Sequence, residues 1–147
     1  MLSAAYWITL AVTMLIVTLC VVLHYEALRL LTDYLPTPHH HHRRRIVILI
    51  LCLLLLHIVE IWIFGGGYYL LLQQESFGDL SSLDVTMFDA IYFSASVYTT
   101  LGFGDIVPTG AIRFLTGTEA LSGFMLISWS ASYVFVEMLK TWRRGDD

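Results

Sequence analysis

Charge is scarce in this sequence. Lys and Arg number 8 and Asp and Glu 12 among 147 residues, 14% of the chain, where a soluble domain carries about 25%. Hydrophobic residues make up 57%, which excludes a water-soluble domain of this size. Cysteine is scarcer still. Cys20 and Cys52 both sit inside apolar stretches, without the spacing of a disulfide framework or a thiolate metal site. Proline occurs only at Pro36, Pro38 and Pro108, so none interrupts a long apolar run. No nucleophile–base pair and no metal-ligand spacing lies on a polar face, so no enzymatic activity is expected. No cofactor and no nucleic-acid partner is expected either. The first apolar run has no basic segment before it and no small-residue cleavage site after it, which sets aside a secretory signal peptide.

What the chain does contain is three apolar runs long enough for a membrane core of about 30 Å. The first, Ala4 to Leu23, continues amphipathically through His24, Glu26 and Arg29 to about Leu31, and residues 1–35 are assigned to an extra, peripheral helix. Asp33 to Arg45 forms a linker, broken by Pro36 and Pro38 and ending in His39 to His42 and Arg43 to Arg45. This basic run (36–45) is either an orientation signal or a patch that meets anionic lipid and charges between about pH 5 and 7. The second span is Ile46 to Phe64. Gly65-Gly66-Gly67 is expected to break it near the far interface, within an outer-helix segment 46–72. Trp62, Phe64, Tyr68 and Tyr69 form an aromatic belt there. After a polar loop from Gln73 to Val85, Thr86 and Asp89 predict a capping box that opens a short helix over 87–98. That helix cannot span, so it must be re-entrant and surrounded by protein or water. The third span, within 112–140, is followed by Lys140, Arg143, Arg144 and a short tail, 141–147.

Between the short helix and the third span stands Thr99-Thr100-Leu101-Gly102-Phe103-Gly104-Asp105. Glycine adopts backbone angles closed to other residues. Alternating it with larger residues can turn successive carbonyl oxygens to one side, where they replace the water shell of a monovalent cation. The run resembles the selectivity filter of potassium channels, usually Thr-Val-Gly-Tyr-Gly-Asp, with identity at Thr100, Gly102, Gly104 and Asp105. Leu101 stands for the usual valine and Phe103 for the tyrosine. The resemblance extends from Ile46 to about Leu139.

The resemblance implies an all-α integral membrane protein. It would have three transmembrane helices, a re-entrant pore helix (87–98) and a selectivity-filter loop (99–105), assembled as a homotetramer around a central axis. It implies a potassium-selective channel, with K+ held by Thr100, Leu101, Gly102, Phe103 and Gly104. Thr99, Asp105, Ser96, Tyr92 and Phe93 would support the filter. The alternatives are a non-selective monovalent cation channel and a non-conducting subunit that keeps the pore fold. Along the third span, Gly123 aligns with the family's hinge glycine, or serves simple close packing. Phe124, Ile127, Ala131 and Phe135 would line the pore. No arginine series of a voltage sensor is present, and no ligand-binding domain is expected after Arg144.

Charge sets the orientation. With the filter mouth outward, seven of the eight basic residues are cytoplasmic and Arg113 alone is outside, in line with the positive-inside rule. The N-terminus is then outside and the C-terminus cytoplasmic, in a cell membrane expected to be prokaryotic. Glu75, Asp79, Asp84, Asp89 and Asp105 either ring the outer mouth or merely solvate loops. Two acids remain inside apolar spans, Glu60 and Glu119. At ~1.5 Å per helical residue, Glu60 stands about 22 Å up from Arg45, and Glu119 about 9 Å below Arg113. The similar depths predict that His57, Glu60 and Glu119 share an intramembrane network, with Ser94 or Ser96 as a possible partner. The other reading is two unrelated acids.

Overall fold

The computed structural model of the chain describes residues 4–34, 42–81 and 85–143. Expectations placed on Pro36, Pro38, His39 to His41, Asp84, Arg144 and the rest of the tail lie outside them. The described residues form four α-helices: α1 (Ala4–Tyr34), α2 (His42–Leu71), α3 (Met87–Tyr98) and α4 (Ile112–Arg143). A 3-10 turn at Glu75–Phe77 follows α2. Among the described residues the regular structure is all helical apart from one isolated bridge between Leu80 and Pro108. Helices α1, α2 and α4 are long and apolar enough to cross a membrane.

In α1 the buried residues are Ala5, Thr9, Thr13, Ile16, Cys20, His24 and Leu28, spaced three or four apart on one face. That face is mostly small or polar, with Ile16 and Leu28 among its residues, while Trp7, Leu15 and Val22 on the others are exposed. Helices packing in lipid gain nothing from hiding apolar bulk, so small residues that allow close contact go inward. The hydroxyls of Thr9 and Thr13 donate to carbonyls one turn back at 2.8 and 2.7 Å. In α4, Thr116, Ser122, Ser128 and Ser132 do the same. These hydroxyls are thus satisfied without water.

The glycines at 65–67 do not break α2, which runs through them to Leu71. The expected interruption is wrong because Gly65 and Gly67 serve helix contact, with α3 and α1 respectively. A Cβ at Gly65 would lie 2.9 Å from both Cα and Cγ1 of Ile91 in α3. Glycine there lets the two backbones approach, and the contact outweighs its low helix propensity.

α3 lies between α2 and α4. Its start is fixed by the capping box: the Thr86 amide donates to Asp89 Oδ2 at 2.9 Å and the Asp89 amide donates to Thr86 Oγ1 at 3.2 Å. The Thr86 hydroxyl, which also donates to Asp89 Oδ2, followed by the Thr86 amide, holds the Asp89 carboxyl below its usual range. At the opposite end of the bundle α2 is tied to α4: Arg45 Nη2 donates to Glu137 Oε2 at 2.8 Å, and Lys140 Nζ to Glu137 Oε1 at 2.6 Å. Thr32 of α1 meets the Tyr133 hydroxyl at 2.8 Å.

The neighbouring glycines Gly65 and Gly66 give a paired test. Alanine at Gly65 must displace the α3 backbone, an overpacking cost of about 1–3 kcal/mol against a helix-propensity gain of about 1 kcal/mol. Alanine at Gly66 meets only the Met87 methyl at 3.9 Å and keeps that gain. The melting temperature of the purified protein should fall for Gly65→Ala and hold or rise for Gly66→Ala.

Candidate functional site

The site grows from the C-terminal end of α3. A helix end leaves carbonyls without partners, and inside a bundle they must find some. Here the following loop supplies them. The Thr100 amide donates to Val97 O at 2.8 Å, and the Leu101 and Gly102 amides both donate to Ser96 O at 3.0 Å. No peptide bond here is cis, and in a trans peptide the carbonyl points opposite to the following amide. The carbonyls of Thr99, Thr100 and Leu101 therefore face away from α3. Positive φ angles recur at every second residue: 57° at Thr100, 53° at Gly102 and 79° at Gly104. Such an alternation places successive carbonyls on one side, where an ordinary extended strand alternates them. Threonine rarely adopts this angle, and retained strain of this kind clusters at functional positions.

Residues 99–105 are exposed on this chain, with Leu101 and Phe103 each 62% accessible. A second strut holds the loop's far end. The Tyr92 hydroxyl donates to Asp105 Oδ2 at 2.8 Å, and its ring stacks on Phe103 at 6.1 Å and 4°. Accepting that bond, the Asp105 carboxylate keeps the Tyr92 hydroxyl protonated above its ordinary range. Phe93 is buried against the edge of Tyr68, with centroids 5.1 Å apart. The Thr99 hydroxyl donates to Ala95 O at 2.7 Å. The Ser96 hydroxyl turns back to Phe93 O at 2.9 Å, so Ser96 meets the loop through its backbone carbonyl.

Two buried polar clusters stand behind α3. Glu60 is fully buried. It accepts from the Tyr98 hydroxyl and lies 3.0 Å from His57 Nδ1 and 3.0 Å from His24 Nδ1. Ser130 Oγ closes the far side, 3.1 Å from His57 Nε2 and 3.3 Å from His24 Nε2. One residue group thus joins α1, α2, α3 and α4. Glu119, also fully buried, has other partners: the Tyr68 hydroxyl donates to it at 2.6 Å, and its Oε1 lies 2.5 Å from Ser94 Oγ. The expected single network of His57, Glu60 and Glu119 is therefore two. Glu60 meets α3 at Tyr98 and Glu119 meets it at Ser94, one helical turn earlier. Ser94 is a partner as expected; Ser96 is not.

Gly123 is buried, and α4 stays helical through it. A Cβ there would collide with the carbonyl oxygen and ring of Tyr98. In this structure it serves close packing of α4 on the end of α3. Phe124, Ile127, Ala131 and Phe135 are exposed on this chain. Sequence reasoning missed His24, Tyr98, Tyr68 and Ser130. A signal existed for His24: it falls in step with Thr9, Thr13 and Cys20 on the small, polar face of α1.

The sequence model of a family described as "Ion channel" matches residues 56–140. The match covers more than half of the chain and includes α3, the loop and most of α4. Neither a curated protein nor a solved structure matches the chain.

The Glu119 cluster carries a prediction through its proton count. Ser94 Oγ has one proton and faces two acceptors, Ile61 O at 2.9 Å and Glu119. A neutral Glu119 that donates to Ser94 and accepts from Tyr68 satisfies every group. Glutamine offers the same donor and acceptor, so Glu119→Gln should leave the melting temperature close to that of the parent. Glu119→Ala leaves the buried Tyr68 hydroxyl only its longer bond to Thr116 Oγ1 at 3.3 Å and should cost about 1–3 kcal/mol.

Proposed function

This chain belongs to the ion-channel family, and on that premise we propose that it is the subunit of a potassium-selective channel that conducts K+ passively. The observation that carries the reading is the backbone of loop 99–105: left-handed angles at Thr100, Gly102 and Gly104, with the amides of residues 100–102 tied back to α3. Carbonyls so freed supply the oxygens that a dehydrated monovalent cation requires. The ion-binding residues are Thr100, Leu101, Gly102, Phe103 and Gly104, and the Thr100 hydroxyl adds a further oxygen. Tyr92 and Asp105 brace the outer end.

One loop encloses an ion from one side only, so four copies surround it. The exposure of the loop and of Phe124, Ile127, Ala131 and Phe135 suits a face that meets partner copies and the conduction path. In the assembled channel α3 is the re-entrant pore helix. Its partial negative end, aimed below the loop, favours a cation there. Residues 46–140 act as the pore domain, with α1 attached outside it. The filter mouth faces outward, the basic ends of α2 and α4 lie in the cytoplasm, and the surrounding lipid is that of a cell membrane.

The glycine angles test this reading. Alanine in the left-handed region costs about 1–2 kcal/mol per residue, and a homotetramer meets that cost four times. Gly102→Ala should abolish potassium flux into liposomes while the protein still purifies as an intact assembly. Thr100→Val should keep the fold and weaken potassium preference over sodium. Parent protein that passes neither ion would favour a non-conducting subunit, and equal flux of both would overturn selectivity.

A further inference from the structure

The cluster of His24, His57 and Glu60 does more than hold helices together. We infer that it is a binding site for a single divalent transition-metal cation of the zinc class, buried between α1 and α2. One donor atom from each of the three residues lies within 4.8 Å of the others. Each histidine Nδ1 stands 3.0 Å from a different oxygen of the same carboxylate. Ligands ~2.0–2.1 Å from a tetrahedral zinc are separated by about 3.3 Å, so small shifts accommodate the ion. Two imidazoles and one carboxylate are a donor set that zinc accepts and that magnesium and calcium do not favour.

With Glu60 ionised and no cation bound, each Nδ1 that donates to Glu60 carries its ring proton, which leaves both Nε2 atoms bare. Both face Ser130 Oγ, at 3.1 and 3.3 Å, and one hydroxyl proton can serve only one of them. A cation bound to both Nδ1 atoms moves the ring protons to Nε2, where the two lone pairs of Ser130 accept both. That is the outer-shell support a metal-bound histidine ordinarily has. The Tyr98 hydroxyl donates to Glu60 Oε2 and orients the carboxylate in the same way. His57 is 15% exposed at its side chain, while His24 and Glu60 are fully enclosed. Tyr98 is the last residue of α3, so occupancy of the site bears on the base of the loop; that consequence rests on the function proposed above, whereas binding itself does not.

The test uses full-length protein in which His39 to His42 are changed to glutamine, because that run would bind metal on its own. Co2+ is titrated and its visible absorption followed, with bound metal counted by elemental analysis. The expected result is one cation per chain with a four- or five-coordinate cobalt spectrum, displaced by Zn2+ and lost in His24→Gln and in Glu60→Gln. Zn2+ should also raise the melting temperature of the parent and not of His24→Gln. Absence of stoichiometric binding in the four-glutamine parent overturns the site whatever the variants do, and leaves the two rings sharing one added proton instead. A cobalt spectrum unchanged in His24→Gln overturns it equally.

Discussion

The end of α3 is the constraint on which the rest depends. A twelve-residue helix stops inside a helical bundle, and its last carbonyls need donors that neither water nor lipid provides. The loop amides of Thr100, Leu101 and Gly102 are those donors. Spending them there turns the loop's own carbonyls the other way. Satisfaction of a helix end and presentation of an oxygen-lined strand are therefore one event. The left-handed angles at Thr100, Gly102 and Gly104 let the chain do both within a few residues.

Everything around α3 keeps that end in place. α2 comes close because Gly65 has no side chain, and α4 comes close because Gly123 has none. Glu60 holds the Tyr98 hydroxyl and Glu119 holds Ser94, so two turns of the helix are fixed by buried carboxyl groups on different neighbours. Such clusters stabilise only when complete, because an unpaired polar group in low dielectric is costly. The N-terminal helix takes part: His24 completes the Glu60 cluster, and its small, polar face lies against the bundle.

Much of this was legible in the residues. Three apolar runs marked three helices, and Thr86 with Asp89 marked the start of the short one. The alternation of glycine after Thr99-Thr100 marked the loop. The rest was hidden for particular reasons. Gly65 to Gly67 read as a helix stop because propensity is local, while the contact with Ile91 that keeps them helical is not. Glu60 and Glu119 read as one network because depth along a span can be counted, whereas azimuth around it cannot. His24 passed for the solvent side of an amphipathic turn. In lipid the polar face goes inward, and only the partner on α2 reveals it. Tyr98 and Ser130 carry no signal of their own; their roles arise from what four helices bring together.

We propose that the loop backbone selects potassium. The most direct measurement is the reversal potential of the purified protein in a planar bilayer, with potassium chloride on one side and an equal concentration of sodium chloride on the other. A potassium-selective loop should give a current that reverses far from zero, on the side set by potassium moving down its gradient. A reversal at zero, or no current at all from intact assemblies, would contradict it.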